Sequence, residues 1–352
     1  MVTGPVHPPV ESADLEGGGG FLRGGARPPT EEMIRFVDEH KERRTLDGLR
    51  WGVEPICRTL QFAPQTYYAA KSRPPSERSV RDEALKPEIL RVWKENYRVY
   101  GAPKIWTQLH RENIGVARCT VERLMPTLGI RGTTRGANPA TTRTSAGDSR
   151  PEDLLDRDFA AEAPNTKWVA DFTYVRTRSG FCYVAFVIDC YARMIVGWAA
   201  STSMRTDLVL TALEQAIWAR LVNPGTRQRL GDGTLRQEPG LGNRLICHSD
   251  AGCQYLSIAH TGRLTQTGID PSVGSVGDSY DNALAESIIG LYKTELVYNL
   301  GPWNGLTDLE WATFEYIDWF NHRRLMGKTP PTEREENYYR QHTNTKHPTP
   351  KP

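Results

Sequence analysis

"KWVADFTYVRTRSGFCYVAFVIDCY", residues 167–191, decides how the second half of the chain folds. Its first eleven residues alternate in part between apolar and polar, as a strand with one solvated face does. A Thr177–Gly180 turn then leads into a near-continuous run of Val, Phe, Tyr and Ile, and "RMIVGWAAST" (193–202) continues in the same β-rich style. The period changes again at "DLVLTALEQAIWARLV" (207–222), which is helical, with Leu208, Thr211, Ala212, Gln215 and Trp218 among its candidate face positions. After a polar, Gly-rich stretch over 223–243 come a short buried strand, "RLICHSD" (244–250), and a helix in "SIAHTGRLTQTGI" (257–269). A loop, "DPSVGSVGDSYD" (270–281), leads to a last helix in "SYDNALAESIIGLYKTEL" (279–296). Three strands, a helix, a strand and further helices around one sheet make an α/β or α+β domain.

Three acids in this pattern call for explanation. Asp171 sits inside the first strand, Asp250 ends the later strand, and Glu286 lies on the last helix. A carboxylate in or at the tip of a buried strand is unfavourable unless it is paired or bound to a cation. Two on strands of one sheet and a third on a following helix can converge on one point. Hard divalent cations such as Mg²⁺ take oxygen ligands and retain water, so a few carboxylates and a substrate phosphate suffice. Two such ions can clamp a phosphodiester without any protein nucleophile, which points to metal-assisted phosphoryl transfer on a nucleic-acid backbone. Asp189 is the rival acid; after a buried strand and before a turn, it is expected to bond backbone N–H groups. Asp278 and Asp281 are expected to cap the last helix. His248 and Gln254 flank Asp250 as possible supporting groups, and Asn282 stands one turn before Glu286, with Lys293 two turns beyond it.

The first half of the chain is of a different kind. Residues 1–30 are rich in Gly and Pro and lack periodicity, which predicts disorder. "TEEMIRFVDEHKERR" (30–44) predicts a helix capped by Thr30, and two short helices follow, broken around Gln61–Ala63, with Pro64 opening the second. "RPPSER" (73–78) is expected to be a linker. "GAPKIWTQLHRENIGVARCTVERLMPTLGI" (101–130) predicts two helices around a turn at Asn113–Gly115. In the second helix Val121, Leu124, Met125 and Leu128 fall on one face and Arg118, Cys119, Glu122 and Arg123 on the other, the spacing of a helix-turn-helix. An ordinary helical hairpin has the same spacing, and charge helps to choose. The net charge of +2 divides into −2 over residues 1–50, +8 over 51–150 and −4 over 151–352. The basic block suits a polyanion, with Arg118, Thr120 and Arg123 as candidates for phosphate or base contacts. Boundaries are expected near 1–30, 31–75, 80–132, a basic linker over 133–163, a catalytic part over 164–340 and a tail over 341–352.

The remaining composition excludes several classes. No run of about 18 apolar residues exists, so no membrane helix is expected. The N-terminal stretch lacks the basic start and apolar core of a signal peptide. Six scattered cysteines without a CxxC pair argue against a zinc ribbon or a disulfide framework, which fits the cytoplasm.

With "WVADFTYV" (168–175), "HSDAGCQY" (248–255) and the Glu286 helix in that order, and 35 residues between Asp250 and Glu286, the chain resembles insertion-sequence transposases of the DDE class. The resemblance spans roughly residues 50–340. It includes the closing "WFNHRRLMGKTPPTERE" (319–335) and the helical "YGAPKIWTQLHRENIGVARCTVERLM" (100–125). What it implies is an RNase H-like, retroviral-integrase-like core with a central mixed β-sheet flanked by helices, preceded by an all-α helix-turn-helix region. It implies a metal-binding catalytic triad of Asp171, Asp250 and Glu286 holding two Mg²⁺ ions, with Mn²⁺ as a substitute. Lys293 and Asn282 fall where DNA contacts are expected. The implied substrates are the element's terminal inverted repeats and a target duplex, with hydrolysis that frees a 3′-OH followed by strand transfer. The implied partners are double-stranded DNA, a second copy of the chain and the product of, or a frameshift fusion to, an upstream reading frame. Ala251 and Cys253 depart from the usual residues after the second aspartate. Alternatives are an RNase H-like nuclease and a DNA-binding regulator with an idle core. A tyrosine recombinase would leave the three acids without a role.

Overall fold

The computed structural model describes residues 28–45, 48–134, 153–155, 158–222, 245–250, 254–274 and 282–345. The chain divides into two units, one ending at Glu83 and the other beginning at Ala84. The first is three short helices: α1 (Thr30–His40), α2 (Val53–Thr59) and α3 (Pro64–Ser72). They close over a small core of Met33, Val37, Trp51, Ile56, Cys57, Leu60, Phe62 and Tyr67. Pro64 opens α3 as expected, and Gln61 breaks the chain before it with a φ of 51°. Thr30, expected as the cap of α1, lies inside the helix; Pro29 precedes it, and no side chain caps this end.

The expected "RPPSER" linker is shorter than its sequence implies. Glu77 already starts α4 (Glu77–Glu95), a helix the periodicity did not reveal. Pro87 within it and a largely polar sequence obscure its buried stripe of Leu85, Ile89 and Val92. Next come α5 (Ala102–Arg111) and α6 (Arg118–Thr127), the expected helical pair. Ile105, Leu109, Val121, Leu124 and Met125 face inward, whereas Arg118, Cys119, Glu122 and Arg123 are exposed.

The sheet has five strands in the order β3-β2-β1-β4-β5. β1 (Lys167–Thr177), β2 (Gly180–Asp189) and β3 (Ile195–Ser201) form an antiparallel meander, and β4 (Ile246–Ser249) and β5 (Asp270–Val273) add on parallel to β1. Two expectations change here. Asp250 lies one residue past its strand, and "DPSV" is not loop but β5, whose four residues and single proline hide the strand pattern. The Pro is tolerated because β5 is an edge.

One face of the sheet, with Trp168, Ala170, Ala185 and Val187, packs on α7 (Thr206–Ile217) and α8 (Ile258–Gln266). α7 buries Leu208, Val209, Ala212, Leu213, Ala216 and Ile217, whereas Thr211, Gln215 and Trp218 are exposed, so the inward stripe is turned away from the expected one and shares only Leu208 and Ala212 with it. Gly197 lets this helix approach, since a Cβ there would stand 2.2 Å from the Ala212 carbonyl oxygen. The other face, with Val169, Val184, Phe186 and Ile188, packs on α9 (Ala283–Tyr292) and α10 (Leu306–His322). The core on this face continues into α4, α5 and α6, so the helix-turn-helix is not a separately folded module. Tyr100 Oη accepts the Leu325 N–H at 2.7 Å, the Trp319 indole N–H donates to Asn96 Oδ1 at 3.1 Å, and Arg111 pairs with Glu333 of α11 (Pro331–Thr345). Most of the expected linker lies outside the described residues, but Leu155 within it is buried in the same core.

Candidate active site

The register of the sheet brings the first two acids together. β1 pairs in parallel with β4 from Lys167↔Ile246 to Ala170↔Ser249, so the next step along both chains sets Asp171 beside Asp250. Side chains alternate, which puts Asp171 on the face of Val169, the face that α9 covers. Glu286 lies in the first turn of α9, exposed, while Ala285, Ile288, Ile289 and Tyr292 anchor that helix to the sheet. Asn282 precedes the helix and ties it to the strand: its amide donates to the Ala170 carbonyl at 3.1 Å. At 6% exposure Asn282 is turned inward, and the expectation that it touches DNA does not fit that burial.

Electrostatics shows that the three acids share one neighbourhood. Burial pushes the Asp171 carboxyl well above the usual carboxylate range, and the charges of Asp250 and Glu286 push it further in the same direction. The Phe172 N–H, bonded to Asp171 Oδ1 at 2.7 Å, and the Lys293 ammonium pull the other way. Tyr255, also buried, feels both Asp171 and Asp250, and its hydroxyl is driven well above its ordinary value, first by burial. Such mutual repulsion is what a bound cation would relieve. The donors are hard carboxylate oxygens, which fit Mg²⁺ or Mn²⁺ rather than a soft metal. Among the described residues no three His, Cys, Asp or Glu side chains stand close enough to form a finished cage. The site is thus a set of converging charges with its third carboxylate on the solvent side.

Lys293 begins a π-helical turn, Lys293–Val297, that follows α9 directly. Such turns recur at functional sites because the wider ring re-aims side chains. The Lys293 ammonium stands 5.2 Å from the centre of the Tyr174 ring. Its pKa is lowered by partial burial, against the attraction of Asp171.

Other expected residues are settled in different roles. Asp189 is fully buried and accepts the N–H groups of Ala192 at 2.9 Å and Asn165 at 2.7 Å, the turn chemistry expected of it. His248 is buried on the β5 side, its Nδ1 2.8 Å from Ser272 Oγ. Gln254 donates to the Met204 carbonyl at 3.3 Å. Ala251, Cys253, Asp278 and Asp281 lie outside the described residues. In α6, Arg118 pairs with Glu122 at 2.8 Å, Arg123 is exposed and Thr120 is half-buried.

The closing motif proves to be architectural. Asn321 accepts the Ile195 N–H at 3.0 Å and donates to the Ile195 carbonyl at 2.8 Å, completing the edge of β3 as a strand would. Arg324 grips Glu295 with two hydrogen bonds, at 2.6 and 2.5 Å, and Tyr316 adds a third at 3.1 Å. This buried clamp fixes the π-helical turn next to Lys293. No periodicity could have announced it, because its partners are 29 residues apart.

Comparison with known proteins agrees with this architecture. Residues 161–279 and 286–343 match two families described as integrase core domain, and residues 80–138 match an HTH-like domain. A transposase assigned to insertion sequence element IS986/IS6110 of Mycobacterium tuberculosis is 52% identical over 285 residues, covering 80% of this chain and 98% of the relative. The transposase for insertion sequence element IS629 of Shigella sonnei is 47% identical over 308 residues, 84% of this chain and 95% of the relative. A third, for IS904 of Lactococcus lactis, is 33% identical over 255 residues, 72% of this chain and 92% of the relative. The sheet with its two faces of helices is the RNase H-like integrase core, and the chain belongs to the insertion-sequence transposases that carry it.

Proposed function

We propose that this transposase cuts and joins DNA through Asp171, Asp250 and Glu286, at the terminal inverted repeats of its own element. The observation that carries the reading is the parallel register of β1 and β4, which brings Asp171 beside Asp250, with Glu286 in the same electrostatic neighbourhood. These three carboxylates would hold a pair of Mg²⁺ ions, or Mn²⁺ in their place. The chemistry that such a pair supplies when bound is activation of an attacking oxygen and stabilisation of a leaving one.

The chain's own residues supply position and charge. The parallel register of β1 and β4 ends one residue before Asp171 and Asp250, which supports reading two of the three ligands as preorganised. Glu286 approaches from the solvent side and completes the set as the DNA strand is seated. Asn282 holds the start of the Glu286 helix against the Ala170 carbonyl, which makes it a positioning residue. Lys293 offers a cation to the phosphate backbone beside Asp171. Arg118 and Arg123, with Thr120 between them, would lie along the duplex in the manner of a recognition helix. A 3′-OH freed by hydrolysis of one strand then attacks a second phosphodiester, so no covalent protein–DNA bond forms. Pairing two element ends calls for at least two copies of the chain, and an upstream-frame product or fusion would add to the DNA grip. The work takes place wherever the element's DNA lies, in the cytoplasm.

The test is a labelled duplex bearing the element's terminal repeat, incubated with Mg²⁺, with Mn²⁺ and with EDTA. Wild type should nick or join strands in either metal and in neither case with EDTA. Asp171→Asn, Asp250→Asn and Glu286→Gln should each lose at least roughly 10²–10³-fold, the scale of removing one preorganised charge-stabilising group, while still shifting the duplex on a gel. Cleavage that survives any of the three substitutions contradicts the triad.

A further inference from the structure

The second half of β1 runs beyond the reach of β4, whose pairing stops at Ala170↔Ser249. At the hairpin end of this stretch Tyr174 and Phe181 are exposed at 53% and 52%. Their rings meet edge to face, with centroids 5.7 Å apart. In the β1–β2 register Tyr174 pairs with Tyr183 and Arg176 with Phe181, so Tyr174, Arg176 and Phe181 share one face of the hairpin. Lys293 lies over the Tyr174 ring at 5.2 Å and also senses the charge of Asp171. Two solvated aromatic rings in contact, with a lysine on one of them and an exposed arginine across from the other, differ from isolated apolar residues on a surface.

We propose that Tyr174 and Phe181 form a stacking platform for an unpaired nucleobase of the DNA strand held at the active site, with Lys293 and Arg176 engaging its flanking phosphates. This rests on the reading of Asp171 as part of a DNA-cleaving site. A single DNA strand supplies both things the platform asks for: a π-face for the rings and anions for the cations around them. A protein partner would need acidic groups beside an apolar side chain; the nucleic strand carries its charge at every step. Tyr174 is three residues from Asp171, about 10 Å along an extended strand, and alternation turns the two side chains to opposite faces of the sheet; Lys293, over the Tyr174 ring and within the field of Asp171, links the two positions. That span covers roughly one to three nucleotides at about 3.4 Å each. The base that stacks would then lie within three nucleotides of the phosphodiester at Asp171, where duplex ends must open for a strand to reach the carboxylates. The bland role for the pair is cross-strand support of the hairpin, worth about 0.2–1 kcal/mol, and the experiment separates the two.

5-Iodouracil is placed singly at each of the three positions on either side of the scissile bond, in a fully paired end and in one with those positions unpaired. The full chain carrying Glu286→Gln is irradiated with each DNA, and the adduct is mapped by peptide mass spectrometry. The platform predicts an adduct on Tyr174, at least roughly tenfold stronger with the unpaired end, lost in Tyr174→Ala and restored in Tyr174→Trp at an unchanged melting temperature. Adducts confined to peptides that hold neither Tyr174 nor Phe181, equal yields from paired and unpaired ends, or no binding of the unpaired end would each overturn it. Metal-dependent cleavage by the wild-type chain is measured in parallel. Cleavage without an adduct on Tyr174 or Phe181 removes the platform alone, whereas the adduct without cleavage in any metal removes the triad and leaves the platform.

Discussion

Asp171 concentrates the electrostatic strain of the site, and that makes it the residue to titrate. Its folded pKa is raised, so the stabilising, protonated form is present below the ordinary carboxylate range and is lost as pH rises through the elevated value. The metal-free protein should therefore lose stability between mildly acid and neutral pH, and Asp171→Asn should remove that part of the loss. In thermal melts recorded against pH without divalent ions, the variant should be the more stable at neutral pH and the gap should shrink in acid. A gap that is absent, or that grows in acid, would mean the carboxyl is not raised. Much of this residue's role is legible in the sequence, because a charged residue inside an apolar strand is conspicuous by composition alone. Asn282 was not: its type suits a helix start, a DNA contact and a backbone tether equally, and only the Ala170 carbonyl 3.1 Å away distinguishes them.

Among the elements, those with a strong period were legible and those set by tertiary contact were not. β1, β2 and β3 declare themselves by composition, and α6 by its four apolar positions. β5 has four residues and a proline, and takes its strand form from pairing with β4. α4 buries only Leu85, Ile89 and Val92, and Pro87 and an exposed Val80 blur the helical period, so its stripe is hard to detect. Two substitutions probe the contacts that the sequence could not show. Arg324→Ala strands a buried Glu295 carboxylate and should destabilise the fold by about 3–5 kcal/mol, seen as a lower denaturant midpoint. Gly197→Ala drives a methyl into the Ala212 carbonyl and Ala216 of α7, and should lower stability by about 1–3 kcal/mol. If urea melts of either variant overlay those of wild type, that contact is not structural.

Within the unit that begins at Ala84, the helices α4, α5 and α6 join the catalytic part through a shared core rather than a free hinge. The charge difference was visible in the sequence; the docking was not, because Tyr100, Asn96 and Arg111 meet partners more than 200 residues away. Binding to DNA by such a protein should weaken linearly in log–log terms as salt rises. Replacing Arg118 and Arg123 together by Ala should weaken binding and reduce the magnitude of that slope by about 2, roughly 0.9 per phosphate contact. An unchanged slope from fluorescence anisotropy would take α6 out of the interface. The claim on which everything else depends is that Asp171, Asp250 and Glu286 are one metal site acting on DNA. Its most direct test is to titrate Mn²⁺ into the DNA-bound chain and follow the free ion by electron paramagnetic resonance. Wild type should take up two ions per site, with Asp171→Asn and Glu286→Gln taking up fewer. Equal uptake by wild type and both variants would contradict it.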